Sequence, residues 1–193
     1  LGDELEAGKI DGTLYGITAN NAAGNSGGFL YNKELADVAG VTIPEKCTID
    51  DLINAYQQIR ESNPDLYFTS LGDGGGGCAT LVSPLTAFGD PTYYSYGVIA
   101  DPLNGSTKIE NWYTTDEAHE YYSMLKGWQN EGIVPSDSMT SGVIPQDMFK
   151  AGSCFGVLSG YSPMELSTQA LSYEFEVGMA QITDAYRDTD VVQ

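Results

Sequence analysis

One histidine, three cysteines and 27 carboxylates are the groups in this 193-residue sequence that could catalyse a reaction or hold a metal. His119 stands on an acidic stretch beside Glu117 and Glu120, where an exposed, solvated imidazole is the expected state. Triad chemistry would have to use this one histidine, and its neighbours give it no buried acid. Neither a Gly-x-Ser-x-Gly elbow nor a His-Glu-x-x-His pair is present. Cys47, Cys78 and Cys154 lack metal-ligand spacing and allow at most one disulfide, so small, partly buried apolar residues are their expected role. Paired carboxylates can cleave glycosides, but nothing favours a particular pair here. The run Gly72-Asp73-Gly74-Gly75-Gly76-Gly77 is not a phosphate loop, because no Gly-Lys-Ser/Thr follows it. It also lacks the alternating oxygen ligands of a calcium loop. The expectation from these residues is no enzyme, no cofactor and no metal.

Charge narrows the partners. With 8 basic residues against 27 acidic ones, the net charge is −19. That field repels a nucleic-acid backbone and an anionic membrane surface, so neither is an expected partner. Hydrophobic residues at 41% and charged residues at 18% are ordinary for a globular chain that buries a core. No apolar run approaches the roughly 20 residues that span a bilayer. The first residues, Leu1-Gly2-Asp3-Glu4, form no export signal. A secreted protein needs one upstream, so the sequence is expected to be part of a longer chain.

The elements follow from periodicity and breakers. Asp11-Gly12 supplies a turn, with Leu14, Tyr15 and Ile17 expected on a partly buried strand. Phe29-Leu30-Tyr31 is expected as a central strand, running into a short helix from Asn32-Lys33-Glu34-Leu35 that stops at Gly40. Thr48 offers a hydroxyl cap with Asp50 and Asp51 in the first turn. Ile49, Leu52, Ile53, Tyr56 and Ile59 then form one apolar face. Residues 66–71 read as a strand, 79–88 as a helix and 93–100 as a strand. Asn104-Gly105 marks a hairpin tip. A long helix from Thr115 carries the stripe Ala118, Tyr121, Tyr122, Leu125 and Trp128, closed by Glu131-Gly132. A short helix over 143–150, a strand over 154–159, a helix over 162–170 and a strand over 175–180 complete the order. Strands separated by helices predict an α/β domain of three layers, its central sheet flanked by helices and made mixed by the hairpin. Trp112 and Tyr113 are expected to cap the core, and Tyr93, Tyr94 and Tyr96 to alternate along a sheet.

Several of these segments carry a resemblance. Asp11-Gly12-Thr13-Leu14-Tyr15-Gly16-Ile17 resembles the DGKxYGIP segment of the family-1 extracellular solute-binding proteins, with Thr13 for the usual Lys and Thr18 for the usual Pro. Phe29-Leu30-Tyr31-Asn32-Lys33-Glu34-Leu35 resembles the family's xxYNKdL, the most specific piece. Thr48-Ile49-Asp50-Asp51-Leu52 resembles TwdDL. Met148-Phe149-Lys150-Ala151-Gly152-Ser153-Cys154 resembles xFxxGkxa without its Lys, and Glu176-Val177-Gly178-Met179-Ala180 resembles the strand leading back to the other lobe. The order of these motifs along the chain carries the resemblance, which is nearest to the lipoprotein branch of Gram-positive bacteria.

The resemblance implies the two-lobed, maltose-binding-protein-like architecture, a type-2 periplasmic binding protein fold. Residues 1–193 would form a single domain, mainly the second lobe, with the first lobe built from sequence elsewhere. Such proteins capture a solute reversibly by interlobe closure and deliver it to the membrane permease of an ABC importer. The implied solute is a carbohydrate or another small polar molecule. The implied setting is extracellular, as a monomer that is lipid-anchored at the cell surface in the full-length protein. By position in the family, Asn20, Asn21 and Asn25 would hydrogen-bond solute beside the hinge, although Asn and Gly also simply serve turn geometry. Asp73 would accept hydrogen bonds from sugar hydroxyls or an amine, or the glycines around it only connect elements. Tyr161, followed by Ser162, would stack on a sugar ring. A sensor or adhesion module could reuse this fold, since function resides in the site. A glycan-acting enzyme is a more distant alternative.

Overall fold

The computed structural model describes residues 8–16, 26–71, 98–100, 109–138, 140–161, 166–168 and 170–183. The chain divides into two compact units, one of Ser26–Asp188 and one of Leu1–Asn25 with Thr189–Gln193. In the smaller unit, β1 (Lys9–Ile10) and β2 (Thr13–Leu14) pair antiparallel around Asp11-Gly12. Both turn residues have positive φ, 50° and 78°. That is the primed turn whose twist matches a two-residue hairpin. Contrary to the expectation of a partly buried strand, Leu14 and Tyr15 are 47% and 73% exposed. Two short strands make too narrow a ribbon to bury a face.

The larger unit contains β3 (Ser26–Asn32), α1 (Lys33–Val38), β4 (Lys46–Cys47) and α2 (Ile49–Arg60). It continues with β5 (Val98–Ala100), β6 (Ile109–Asn111), α3 (Asp116–Asn130), α4 (Pro145–Lys150), β7 (Gly156–Tyr161) and β8 (Val177–Ile182). Four strands form one sheet in the order β4-β8-β3-β7. β3 runs antiparallel to both neighbours, whereas β4 lies parallel to β8. The sheet is therefore mixed, but through β4. The expected hairpin does flank its strands, yet β5 and β6 pair with each other as a separate two-stranded ladder, so it is not what mixes the central sheet. The hairpin tip at Asn104-Gly105, the helix expected over 79–88 and the tyrosines at 93, 94 and 96 lie outside the described residues.

Strand periodicity divides the core into two layers. Phe29 and Tyr31 of β3, with Ala180 and Ile182 of β8, meet Leu52, Tyr56 and Ile59 of α2 and Ala118, Tyr121, Leu125 and Trp128 of α3. Leu30, Val157 and Met179 face the other way, toward Phe149 of α4 and the half-buried Tyr173 and Phe175. Helices thus cover both faces, the three-layer α/β fold that the element order predicts. Trp128 packs edge-on against Phe68 at 5.4 Å, and Phe68 stacks on Phe29 at 4.9 Å.

Local chemistry starts and stops these elements. Asn32 Oδ1 accepts from the Leu35 N–H at 3.1 Å and caps α1. Thr48 and Asp51 exchange side-chain and backbone hydrogen bonds at 3.1 and 2.9 Å, a reciprocal capping box at the head of α2. Thr115 caps α3 through the Ala118 N–H. Gly132, at φ 66°, ends α3 where the sequence places the stop.

Residues 66–71 depart from expectation. They do not form a ladder strand: a single parallel bridge joins Tyr67 to Cys154. Gly156 N–H of β7 donates to Phe68 O at 3.1 Å, while the Phe68 N–H donates to Ile133 O at 2.7 Å. Leu66, Phe68 and Leu71 are still buried. Of the helix expected over 162–170, residues 166–168 are helical and 170–172 form a 3₁₀ turn.

Two glycines separate packing from backbone effects. A Cβ at Gly178 would collide with the Tyr31 ring, whereas one at Gly127, inside α3, meets nothing within 4 Å. Gly178→Ala is expected to destabilise by about 1–3 kcal/mol through overpacking. Gly127→Ala is expected to stabilise by about 0.5–1 kcal/mol through reduced chain entropy. Urea unfolding of both variants measures the two signs, and equal shifts would contradict the packing at Gly178.

Candidate functional site

At one end of the central sheet β3 begins and β7, β8 and β4 finish. The antiparallel register of β3 and β7 places Ser26 opposite Tyr161, Gly27 opposite Gly160 and Gly28 opposite Ser159. On the other edge of β3, Gly28 lies opposite Gln181 of β8. Three glycines therefore meet where β3 and β7 end, leaving backbone without Cβ atoms to hinder a close approach. β4 and β8 finish at the same end, with Cys47 opposite Ile182. Beyond them the Thr183 N–H and hydroxyl both donate to Cys47 O, at 2.9 and 3.2 Å. Residues 66–71 enter parallel to Cys154 and so head toward the end where β7 finishes.

The sequence-predicted residues relate to this end as follows. Tyr161 is the last residue of β7. Asn25 and Ser162 lie outside the described residues, but each is bonded to one member of the Ser26–Tyr161 pair. The register itself sets Ser26 and Tyr161, distant in the chain, opposite each other. Asp73 follows the described Leu71 by two residues and, like Asn20 and Asn21, lies outside the described residues. The glycines at 27, 28 and 160 were not singled out by sequence reasoning. Their signal was present in Gly27-Gly28 and Ser159-Gly160, but it acquires meaning only when the two strands pair.

The other chemical candidates go elsewhere. His119 is exposed on α3, and Trp128 is buried packing. Tyr113, expected to cap the core, is instead 52% exposed. Cys47 and Cys154 are buried in different core clusters, and Cys78 lies outside the described residues. Among the described residues no group of three or more His, Cys, Asp or Glu could hold a metal. No helix among them is long and apolar enough to cross a membrane.

No protein-family model matches the chain, and no curated protein matches it. Solved structures do. A solute-binding protein for N-glycan transport from Streptococcus pneumoniae superposes with a TM-score of 0.67 at 19% identity, covering 94% of this chain and 39% of its own. An ABC substrate-binding protein from Listeria monocytogenes, solved with cycloalternan, gives 0.58 at 21% identity, covering 95% and 44%. The cyclic alpha-maltosyl-1,6-maltose binding protein of Arthrobacter globiformis gives 0.57 at 19%, covering 95% and 43%. The chain spans well under half the length of each. What they share with it is the maltose-binding-protein-like solute-binding fold, as the motif order implied.

Resolved proton affinities in the described residues belong to the core and the caps. Hydrogen bonds from Thr48 hold the Asp51 carboxyl low. Hydrogen bonds to Asp37 and Glu176 raise Lys33, which bridges α1 to the turn before β8. Burial pushes the hydroxyls of Tyr31, Tyr56 and Tyr173 up. Burial also pushes the Cys154 thiol up to about 12. An unfolded thiol ionises near about 8.5. The native state is therefore favoured in full below that value, and stability is lost as pH rises from there through the folded value. Two outcomes are expected: urea stability that declines steadily above about pH 8.5, and a Cys154 that resists iodoacetamide until the chain unfolds. Site-resolved mass spectrometry checks the second. Alkylation of native Cys154 at the rate of a free peptide thiol would contradict its burial.

Proposed function

We propose that this chain forms the second lobe of a two-lobed extracellular solute-binding protein that captures a carbohydrate or another polar solute. It would deliver that solute to the membrane permease of an ABC-type importer. The observation that carries this reading is the Ser26–Tyr161 pair, which puts Tyr161 at the sheet end where β4 and β8 also finish. Open α/β sheets bind ligands at strand ends. The fold neighbours support it, since their own descriptions name N-glycan transport and cycloalternan. Coverage of 39% to 44% of their length fits one lobe of two.

In this reading Tyr161 stacks on a sugar ring while Asn20, Asn21, Asn25, Asp73 and Ser162 hydrogen-bond its hydroxyls. The bare backbone at Gly27, Gly28 and Gly160 lets the solute approach closely. Closure of the other lobe then removes water, which strengthens each of these hydrogen bonds. The mechanism is reversible capture without covalent chemistry. A net charge of −19 favours a neutral solute over an anionic one. The protein works as a monomer, lipid-anchored outside the cell.

Calorimetric titration with an oligosaccharide panel tests the reading. Tyr161→Ala should weaken binding by about 1–3 kcal/mol, the cost of losing an aromatic anchor. A two-lobed protein containing this chain should bind far more tightly than the chain alone. Equal affinities would remove the half-cleft argument, and an unaffected Tyr161→Ala would remove the stacking role.

A further inference from the structure

Buried polar side chains are few among the described residues. Asn32, Thr69, Ser70 and Ser138 are each at most 7% exposed. Asn32 is spent on the cap of α1. Thr69 and Ser70 belong to the 66–71 run and Ser138 to the segment that follows α3. The Phe68 N–H bond to Ile133 O joins that run to that segment at 2.7 Å. Ser138 carries chemistry left over by the fold. It is 2% exposed, and its Oγ has no hydrogen-bond partner among the described residues. A buried hydroxyl in that state costs free energy that an alanine in its place would not. Buried polar atoms of native proteins meet a protein group or an ordered water.

The turn around Ser138 is otherwise satisfied. The Ser138 N–H donates to Pro135 O at 3.1 Å and closes a turn over residues 135–138. Gln129 Nε2 of α3 donates to Ser136 O at 2.7 Å and anchors that turn to the helix. Asp137 O accepts from the Thr140 and Ser141 N–H groups, both at 2.8 Å, and from the Thr140 hydroxyl at 3.2 Å. Pro135 is buried, and its carbonyl has a second lone pair to share with a group on Ser138 Oγ. Such a group has to be small, because both residues are closed to solvent. It also has to donate one hydrogen bond to the carbonyl while pairing with the hydroxyl. A hard cation needs several oxygen ligands, usually with carboxylates among them. Among the described residues no group of three or more His, Cys, Asp or Glu could hold one. An anion is disfavoured by the net charge of −19. A single water meets every requirement, since it is neutral and both donates and accepts.

We propose that Ser138 Oγ holds one internal water, which bridges it to the Pro135 carbonyl and forms part of the fold between α3 and α4. The inference is independent of the carbohydrate reading above. A high-resolution crystal structure of the 193-residue chain should show an ordered water about 2.5–3.0 Å from Ser138 Oγ. Thermal unfolding of Ser138→Ala supplies a second readout. Removing a hydroxyl that holds a water leaves that water short of a partner, so the midpoint should fall by about 2–4 °C. Removing a hydroxyl that holds nothing would raise the midpoint, and that sign overturns the proposal. A protein atom at hydrogen-bond distance from Ser138 Oγ in place of the water overturns it as well, and so does a well-ordered Ser138 with no density beside its hydroxyl.

Discussion

The rest of this fold depends on one strand that is buried on both faces and paired on both edges. Phe29 and Leu30 of β3 are fully buried and point to opposite layers. A strand in that position has no face for water, so its backbone groups must be satisfied by neighbours. β7 and β8 supply those partners, although they come from more than a hundred residues further along the chain. Their register then fixes which side chains meet which layer, because a slip of one residue would turn every core residue to the wrong face. The aromatic chain from Phe29 through Phe68 to Trp128 follows from that register, since it turns Phe29 into the layer that holds Phe68 and Trp128.

The same constraint shapes the candidate site. Pairing β3 with β7 makes Ser26 and Tyr161 opposite residues. Glycines at 27, 28 and 160 thin the ladder at this end, whereas bulky residues fill it toward Tyr31 and Phe155. The N-terminus of α2 does not compete for anions here, since Asp50 and Asp51 occupy its first turn and the capping box satisfies its donors.

Exposure of aromatic residues divides along the same lines. Tyr56 spends its hydroxyl on Leu66 O at 2.7 Å and is buried. Trp128 is packed away on the stripe of α3. Tyr113 stacks beside Tyr122 and stays 52% exposed.

Helices and their ends were legible in the sequence, because the signals for them are local. Thr48 with Asp51, Thr115 before Ala118, Asn32 before Leu35 and Gly132 after α3 each act within four residues along the chain. The order of elements and the buried stripe of α3 were legible for the same reason. Tertiary structure alone decided what depends on distant partners. It limited residues 66–71 to one bridge beside β7, with Phe68 bonded both to Gly156 and to the distant Ile133. It made the sheet mixed through a two-residue strand, β4, too short to show any period. It left Tyr113 outside the core that its aromatic character suggested. It also made neighbours of Ser26 and Tyr161, because pairing across the 134 residues between them is set by the burial of whole faces and by no signal near either residue.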